Sequence, residues 1–455
     1  MTTARRLLLM CGRVRAIVSR LPWGIGQGHM AQMSSSSSSS PPPPSSLPSS
    51  SLPSSQPQSY SSGLDGSPSD VDVKALLQEE DTADDGSVRD DKRDSSVLLF
   101  PGQGSQFVGM AASLVERHER ARALFDAARR VLGYDLLALC LGGPAEQLNR
   151  TLHCQPAVFV TSLAALETLH EEEPEAIENC KAVAGFSVGE FAALVFAGAM
   201  DFSEALYCVQ KRAEAMEAAS SQGGAPHSML SVSARHAFRP PAVCQEAREH
   251  CLSAAAGSAE RVAEPVCLVA SYLCPDVRVL AGHVQALEFV QRHARRLHVV
   301  RTRRLPVSGA FHTPLMAPAQ EALAQALGRV TVRKPSVRVY SNVTAHPYSS
   351  AGQVRNLLVR QLVEPVLWEQ TMHAVFDRHD RFDAGDGRTR EGKDDKPELR
   401  RGSKGGGGGG GGPPHRFPRV YEAGPGKQLG SALRACNAKA WSRYRAVDVG
   451  PRNDE

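Results

Sequence analysis

Ala182-Val183-Ala184-Gly185-Phe186-Ser187-Val188-Gly189-Glu190-Phe191-Ala192-Ala193-Leu194-Val195-Phe196-Ala197 is the stretch whose reading decides the fold. Ala182 to Phe186 is an apolar run of strand length, Glu190 to Ala197 is apolar at helix length, and the G-x-S-x-G pentapeptide Gly185 to Gly189 lies at their junction. Strand, sharp turn and helix in that order form the context a nucleophile elbow needs. Flanking glycines allow the turn, the Ser187 hydroxyl stands above the sheet, and the next backbone N–H, that of Val188, points where an oxyanion would form.

The same rhythm repeats on either side. Val97 to Phe100 precedes a helical pattern over Gly109 to Arg130, and Val337 to Tyr340 precedes one over Gln353 to Leu362. Short buried strands followed by helices predict an α/β fold whose large domain is α/β-hydrolase-like, with a mainly parallel sheet covered on both faces. Between Pro226 and Pro306 the order becomes strand (Ser228 to Val232), helix (Ala242 to Ser253), strand (Pro265 to Val269), strand (Val277 to Leu280), helix (Val284 to Arg295) and strand (Val299 to Thr302). That order predicts a small ferredoxin-like α+β domain at 226–306, inserted into a large domain made of 96–225 and 307–455.

The remaining segments have a different composition. The first 64 residues contain no Asp or Glu, and Arg5, Arg6, Arg13, Arg15 and Arg20 punctuate an apolar helical pattern, so 1–33 reads as a mitochondrial transit peptide. Residues 34–95, first Ser/Pro-rich and then acidic, bury too little apolar surface to offset their ordering entropy and are expected to be disordered. The same holds for 377–416, where alternating charges lead into eight consecutive glycines, Gly405 to Gly412.

Composition narrows the function. A formal charge of +4 over 455 residues, with 22% charged and 42% apolar, excludes a polybasic nucleic-acid binder. No run approaches the roughly 18 apolar residues of a membrane span. Ten cysteines without a Cys-x-x-Cys pair give no basis for a zinc site or disulfide framework, and no metal is expected.

A serine hydroxyl needs a base. Of fifteen histidines, His312 in Ser308-Gly309-Ala310-Phe311-His312-Thr313-Pro314-Leu315-Met316 stands where the inserted domain returns to the large one, a place where pockets form, unlike His293 or His298 in a basic helical stretch. The turn Phe100-Pro101-Gly102-Gln103-Gly104-Ser105-Gln106 lacks the last glycine of G-x-G-x-x-G and any following Gly-Lys-Ser/Thr, which disfavours a nucleotide. Its glycines suit close approach of a backbone N–H to a reacting carbonyl.

FPGQGSQ, GFSVGE, Gln210-Lys211-Arg212 with Met216, GAFHTPLM, Ser341-Asn342-Val343-Thr344, Gln361 with Glu364-Pro365-Val366 and Trp368, and YEAGPGKQLG follow one another as in the malonyl-CoA:acyl carrier protein transacylases, which the chain resembles over nearly all of 97–436. With the leader, the resemblance is to the mitochondrial members. It implies Ser187 as nucleophile, His312 as base, the backbone N–H groups of Gln103 and Val188 as oxyanion hole, and the main-chain carbonyl of Gln361 as the group orienting the histidine. It also implies Arg212 as the anchor of the substrate carboxylate, a role suited to an always-charged guanidinium, and Phe311 as the residue that crowds branched acyl groups. The implied partners are malonyl-CoA and mitochondrial acyl carrier protein in the matrix. CoA and phosphopantetheine enter only as carriers of substrate, with no bound cofactor, and a monomer is expected.

Phe186 stands where a histidine is frequent in the family, Val188 where leucine is, and Ala213 where glycine is. Arg292, Arg295, Arg296, Arg301, Arg303 and Arg304 form a basic stretch suited to an acidic carrier protein or to CoA phosphates, as well as to a merely solvated face. Two other readings compete. A serine thioesterase or esterase would use the same elbow but want an acid between serine and histidine, and none stands out. An inactive mitochondrial scaffold would not require intact Ser187, His312 and Arg212.

Overall fold

Nine strands in two sheets are present among the described residues, which in this computed structural model are 94–221, 224–254, 262, 264–376 and 417–451. The expected leader, nearly all of the 34–95 linker and the 377–416 insertion lie outside them. In chain order the strands are β1 (Ser96–Phe100), β2 (Cys180–Gly185), β3 (His227–Ala234), β4 (Cys267–Cys274), β5 (Val277–His283), β6 (Val299–Arg304), β7 (Arg338–Tyr340), β8 (Arg419–Glu422) and β9 (Tyr444–Ala446). The helices that bear on the site are α1 (Thr151–Glu172), α2 (Gly189–Phe196), α3 (Phe202–Ser221), α4 (Pro240–Ala254), α5 (Val284–Arg292), α6 (Ala317–Gly328), α7 (Ala351–Arg360), α8 (Trp368–Phe376) and α9 (Gln428–Cys436).

The large sheet runs β7-β2-β1-β8-β9 and every pairing in it is parallel. Successive side chains point to opposite faces of a strand, and β1 shows the consequence. Leu98 and Phe100 join a core with α1, α2 and α3, while Val97 and Leu99 join a second core with Trp368 and Met372 of α8 and Leu429 and Leu433 of α9. With both faces covered, β1 is buried at every residue and apolar from Val97 to Phe100. α1 packs against both α2 and α3, and is buried over most of its length because apolar residues surround it on every side.

The second sheet, β4-β5-β3-β6, is wholly antiparallel and is built from the unit β3-α4-β4-β5-α5-β6. Leu230, Val232 and Leu280 on one face pack with Val243 and Ala247 of α4 and Leu287 and Val290 of α5. Met229, Val279 and Ala281 on the other face belong to the main core. Backbone bonds Tyr272 N to Val366 O and Val366 N to Ala270 O, both 2.9 Å, stitch β4 to the segment before α8.

Most strands and helices depart by a few residues from their expected bounds, and two helices differ for a visible reason. The helix expected over Gly109 to Arg130 is two, Ala112–Arg117 and Glu119–Leu132, because His118 is extended (φ −121°, ψ 109°) and its ring Nε2 engages Thr168 Oγ1 at 2.9 Å. α5 stops at Arg292 rather than Arg295, and the chain then turns through His298 at φ 59° into β6.

Candidate active site

Two turns at the carboxyl ends of adjacent strands interlock to form the floor of the site. Phe186 N donates to Phe100 O at 2.9 Å. A Cβ on Gly189 would lie 2.3 Å from Phe100 O, and one on Gly102 would lie 2.4 Å from Phe186 O. Glycine is therefore required by close approach at both turns. Ser187, between them, holds φ at 53°, a left-handed conformation that L side chains adopt only when the surroundings impose it. Asn342, just after β7, supplies part of that constraint: its Oδ1 accepts from Ser187 N and its Nδ2 donates to Gly185 O, each at 2.7 Å.

His312 enters from the loop before α6, itself at φ 61°. Its Nε2 is 3.0 Å from Ser187 Oγ and its Nδ1 is 2.7 Å from the carbonyl oxygen of Gln361, at the end of α7. A carbonyl only accepts, so Nδ1 carries the proton and Nε2 is left as the acceptor facing the serine. Burial first, and the Arg212 charge second, push the His312 pKa down to about 4, which keeps the ring neutral at physiological pH.

Arg212 reaches the same point from α3 and is fully buried. Its Nη2 donates to Ser187 Oγ at 3.1 Å and to Gln361 Oε1 at 2.8 Å, and Nη1 donates to Gln155 Oε1 at 2.7 Å. All three acceptors are neutral, and Nε has no hydrogen-bond partner. Burial draws the guanidinium pKa down to about 10, with the Glu190 charge pulling the other way, so Arg212 remains a cation held among dipoles. Such an arrangement is unfavourable unless an anion completes it.

Gln103 lies in the first turn. Its Nε2 donates to Thr151 Oγ1 at 3.2 Å and its Oε1 accepts from Gln155 Nε2 at 3.5 Å, which ties the turn to the residue that holds Arg212. Val188 is buried at the mouth of α2. Phe311 is buried in the main core, its Cε1 3.1 Å from where a Cβ on Gly309 would stand. Phe186 sets its ring edge-on to Trp368 at 5.4 Å, an apolar setting below the elbow. The structure thus gathers Ser187, His312, Arg212 and Gln361 into one hydrogen-bonded group, with the Gln103 turn linked to it through Gln155.

Four residues bonded to this group were given no role by the sequence reading, although Glu190 and Asn342 stand in the quoted GFSVGE and Ser341 to Thr344 segments: Gln155, Glu190, Asn342 and Tyr348. Glu190 carried a usable signal, because it is the one charged residue in an otherwise apolar helix, and a buried polar group must have partners. Asn342 and Tyr348 lie in loops, where sequence periodicity gives nothing to read.

A neutral histidine against a serine hydroxyl, with a buried cation beside both, defines a serine-dependent acyl-transfer site. The acyl transferase domain family matches residues 97–382. The chain is 52% identical to the human mitochondrial malonyl-CoA-acyl carrier protein transacylase over 354 residues, covering 78% of this chain and 80% of that one. The corresponding Mus musculus protein is 48% identical over 387 residues, covering 84% and 91%. Among solved structures, a malonyl-transacylase in complex with its type II PKS acyl-carrier protein superimposes with a TM-score of 0.60 at 27% identity, covering 79% of this chain and 96% of that one. The chain belongs to the malonyl-CoA-acyl carrier protein transacylases, of mitochondrial type, within the acyl transferase family.

Proposed function

We propose that this protein moves the malonyl group of malonyl-CoA onto the phosphopantetheine thiol of mitochondrial acyl carrier protein, by way of an ester on Ser187. Ser187 Oγ gives its proton to His312 Nε2 and attacks the thioester carbonyl; the C–S bond breaks and CoA leaves with the proton from His312. The carrier-protein thiol then gives its proton to His312 and attacks the ester, and Ser187 Oγ takes that proton back. The backbone N–H groups of Gln103 and Val188 hold the oxyanion in both halves, and the Gln361 carbonyl keeps Nε2 aimed at the serine.

The observation that carries this reading is Arg212. A malonyl unit has one methylene between its ester carbonyl and its carboxylate, so a cation that grips the carboxylate must sit within a few ångströms of the nucleophile. A fully buried guanidinium 3.1 Å from Ser187 Oγ, with only neutral partners, meets that requirement. It also speaks against a thioesterase of the serine-histidine-acid kind, because His312 Nδ1 faces a main-chain carbonyl where such an enzyme has a carboxylate.

The finer readings rest on the same footing. The large sheet with its elbow is read as α/β-hydrolase-like, and the 226–306 unit as a ferredoxin-like insertion between 96–225 and 307–455, supported by its strand order. Phe311 is assigned the crowding of branched acyl groups. The protein is placed in the mitochondrial matrix, working as a monomer without a bound cofactor. In the basic stretch, Arg296 pairs with Glu246 and Arg304 with Glu288; of the other four, Arg292, Arg295, Arg301 and Arg303, the two exposed on edge strand β6, Arg301 and Arg303, are assigned the docking of an acidic carrier protein.

Intact-mass measurement of the protein mixed with malonyl-CoA tests the central claim. A malonyl adduct that is absent in Ser187→Ala and is discharged by holo carrier protein is expected. Release of free malonate at the rate of CoA release would overturn the transfer reading in favour of hydrolysis.

A further inference from the structure

Glu190 is a carboxylate inside an apolar helix, with no exposure to solvent, and the transfer steps above do not use it. Its partners define its state. Tyr348 OH donates to Oε1, Gln361 Nε2 donates to Oε2, and Asn342 N donates to both oxygens at 3.3 and 3.4 Å. Burial holds the Tyr348 hydroxyl well above its ordinary pKa, so it stays a donor. Tyr348, Gln361 and Asn342 each donate a hydrogen to Glu190, an environment that suits an ionised carboxylate.

Gln361 links this carboxylate to the reacting centre. Its Nε2 donates to Glu190 Oε2 and, at 3.2 Å, to Ser187 O, and its Oε1 accepts from Arg212 Nη2 at 2.8 Å. The two ends of a primary amide are almost the same shape, so their hydrogen-bond partners decide which way it points. An acceptor-only carboxylate on one side and a donor-only guanidinium on the other permit a single orientation. Glu190 thereby acts as the counter-charge of Arg212 at one amide's remove. The cation is balanced without a direct ion pair, and its outer N–H groups stay available beside Ser187.

We propose that Glu190 is a positioning residue for carboxylate selection: through the Gln361 amide it fixes the Arg212 guanidinium where a dicarboxylic acyl group is gripped. This rests on Arg212 being the carboxylate anchor. In Glu190→Gln the charge is lost, and an amide that turns its oxygen to Tyr348 and Asn342 sets its NH2 against the NH2 of Gln361. Gln361 Nε2 then keeps only its 3.2 Å bond to Ser187 O, and the amide oxygen that supports Arg212 is held less firmly. Burial raises the Glu190 pKa to about 7, against the hydrogen bonds from Tyr348, Gln361 and Asn342 and the Arg212 charge, so the carboxylate is the charged acceptor above pH 7 and takes up a proton below it.

The test is single-turnover loading of Ser187 from malonyl-CoA and from acetyl-CoA in the full chain, read by intact mass and expressed as the ratio of the two second-order rates. Glu190→Gln is expected to lower the malonyl-to-acetyl ratio about 10-fold or more, the scale of one disturbed charge-assisted contact. Tyr348→Phe, which keeps the carboxylate but removes one donor, should lower it in the same direction by a smaller factor, and decides the matter by itself if Glu190→Gln does not fold. A part that merely supports the fold would slow both acyl groups alike, so an unchanged ratio in the variants that fold overturns the proposal. Arg212→Ala run alongside separates the two levels. A ratio unchanged there removes the anchor reading itself, whereas a ratio lost there but kept in Glu190→Gln and Tyr348→Phe removes only the role of Glu190.

Discussion

The guanidinium of Arg212 donates to the hydroxyl of Ser187 across 3.1 Å, so the cation meant for one end of the substrate touches the atom that attacks the other. With His312 Nε2 accepting the serine proton, Ser187 Oγ is both donor and acceptor in a fixed geometry. Removing the cation should therefore change selection more than chemistry. Arg212→Ala is expected to lower malonyl loading by about 100-fold or more, since losing one partner of a buried charge contact costs roughly 2–5 kcal/mol. Acetyl loading should fall far less, because an acetyl group has nothing for the cation to hold. Competition between the two CoA esters for one sample of enzyme gives the ratio directly, and a ratio equal to that of the unaltered protein would remove Arg212 from substrate selection.

The depressed histidine predicts an unusual acid limb. A base works in its unprotonated form, and His312 stays unprotonated as pH falls through the ordinary 6.5 until about 4. Phosphonylation of Ser187 by an uncharged fluorophosphonate should hold its rate from pH 7 to pH 5 and decline only near 4. Burial is the larger cause of this depression and the Arg212 charge the second, so Arg212→Ala should move the limb upward toward neutrality. A limb at 6.5 in the unaltered protein would mean that the histidine is hydrated and not held as described.

Asn342 predicts a loss that combines stability with rate. Its side chain pairs the N–H of Ser187, a left-handed residue, and the C=O of Gly185. Asn342→Leu keeps the volume and leaves both unpaired, at about 1–3 kcal/mol each. A fall in Tm of several degrees is expected, together with slower Ser187 acylation as the elbow relaxes. A variant with unchanged Tm would show that other groups hold the elbow.

How much of this was legible in the sequence follows from which forces act locally. The elbow was legible because Gly185, Ser187 and Gly189 stand at a junction of strand and helix patterns, and such a turn is specified by a few adjacent residues. The order of strands and helices in the inserted unit was legible for the same reason, although β3 to β6 came out longer than their apolar cores, since backbone pairing continues past the last buried side chain. The split at His118 was not legible: an apolar helical pattern crosses it unbroken, and only a long-range contact to Thr168 marks the break. Gln361 was placed through the family resemblance alone, and its second role, the amide between Arg212 and Glu190, depends on contacts across more than a hundred residues that no local pattern records.

The basic stretch behaves differently from its appearance in sequence, and this redirects its test. Arg296 and Arg304 are engaged with Glu246 and Glu288 of the small unit, at its surface, so they are less free to meet a partner. Arg301 and Arg303 alternate along β6 and pair in register with Ser233 and Ser231 of β3; together with Thr302 they line a concavity of about 190 Å³. Two cations on an edge strand beside serine hydroxyls suit carboxylates of a folded partner, and surface attractions of this kind act mainly on the association rate and weaken with salt. The double variant Arg301→Glu, Arg303→Glu is expected to raise the carrier-protein KM about 10-fold at low ionic strength and to erase most of its salt dependence, while loading of Ser187 from malonyl-CoA stays as it was. Steady-state transfer at a low and a high salt concentration checks both parts. If the carrier-protein KM of the double variant kept its original value and salt slope, docking would have to lie on another face.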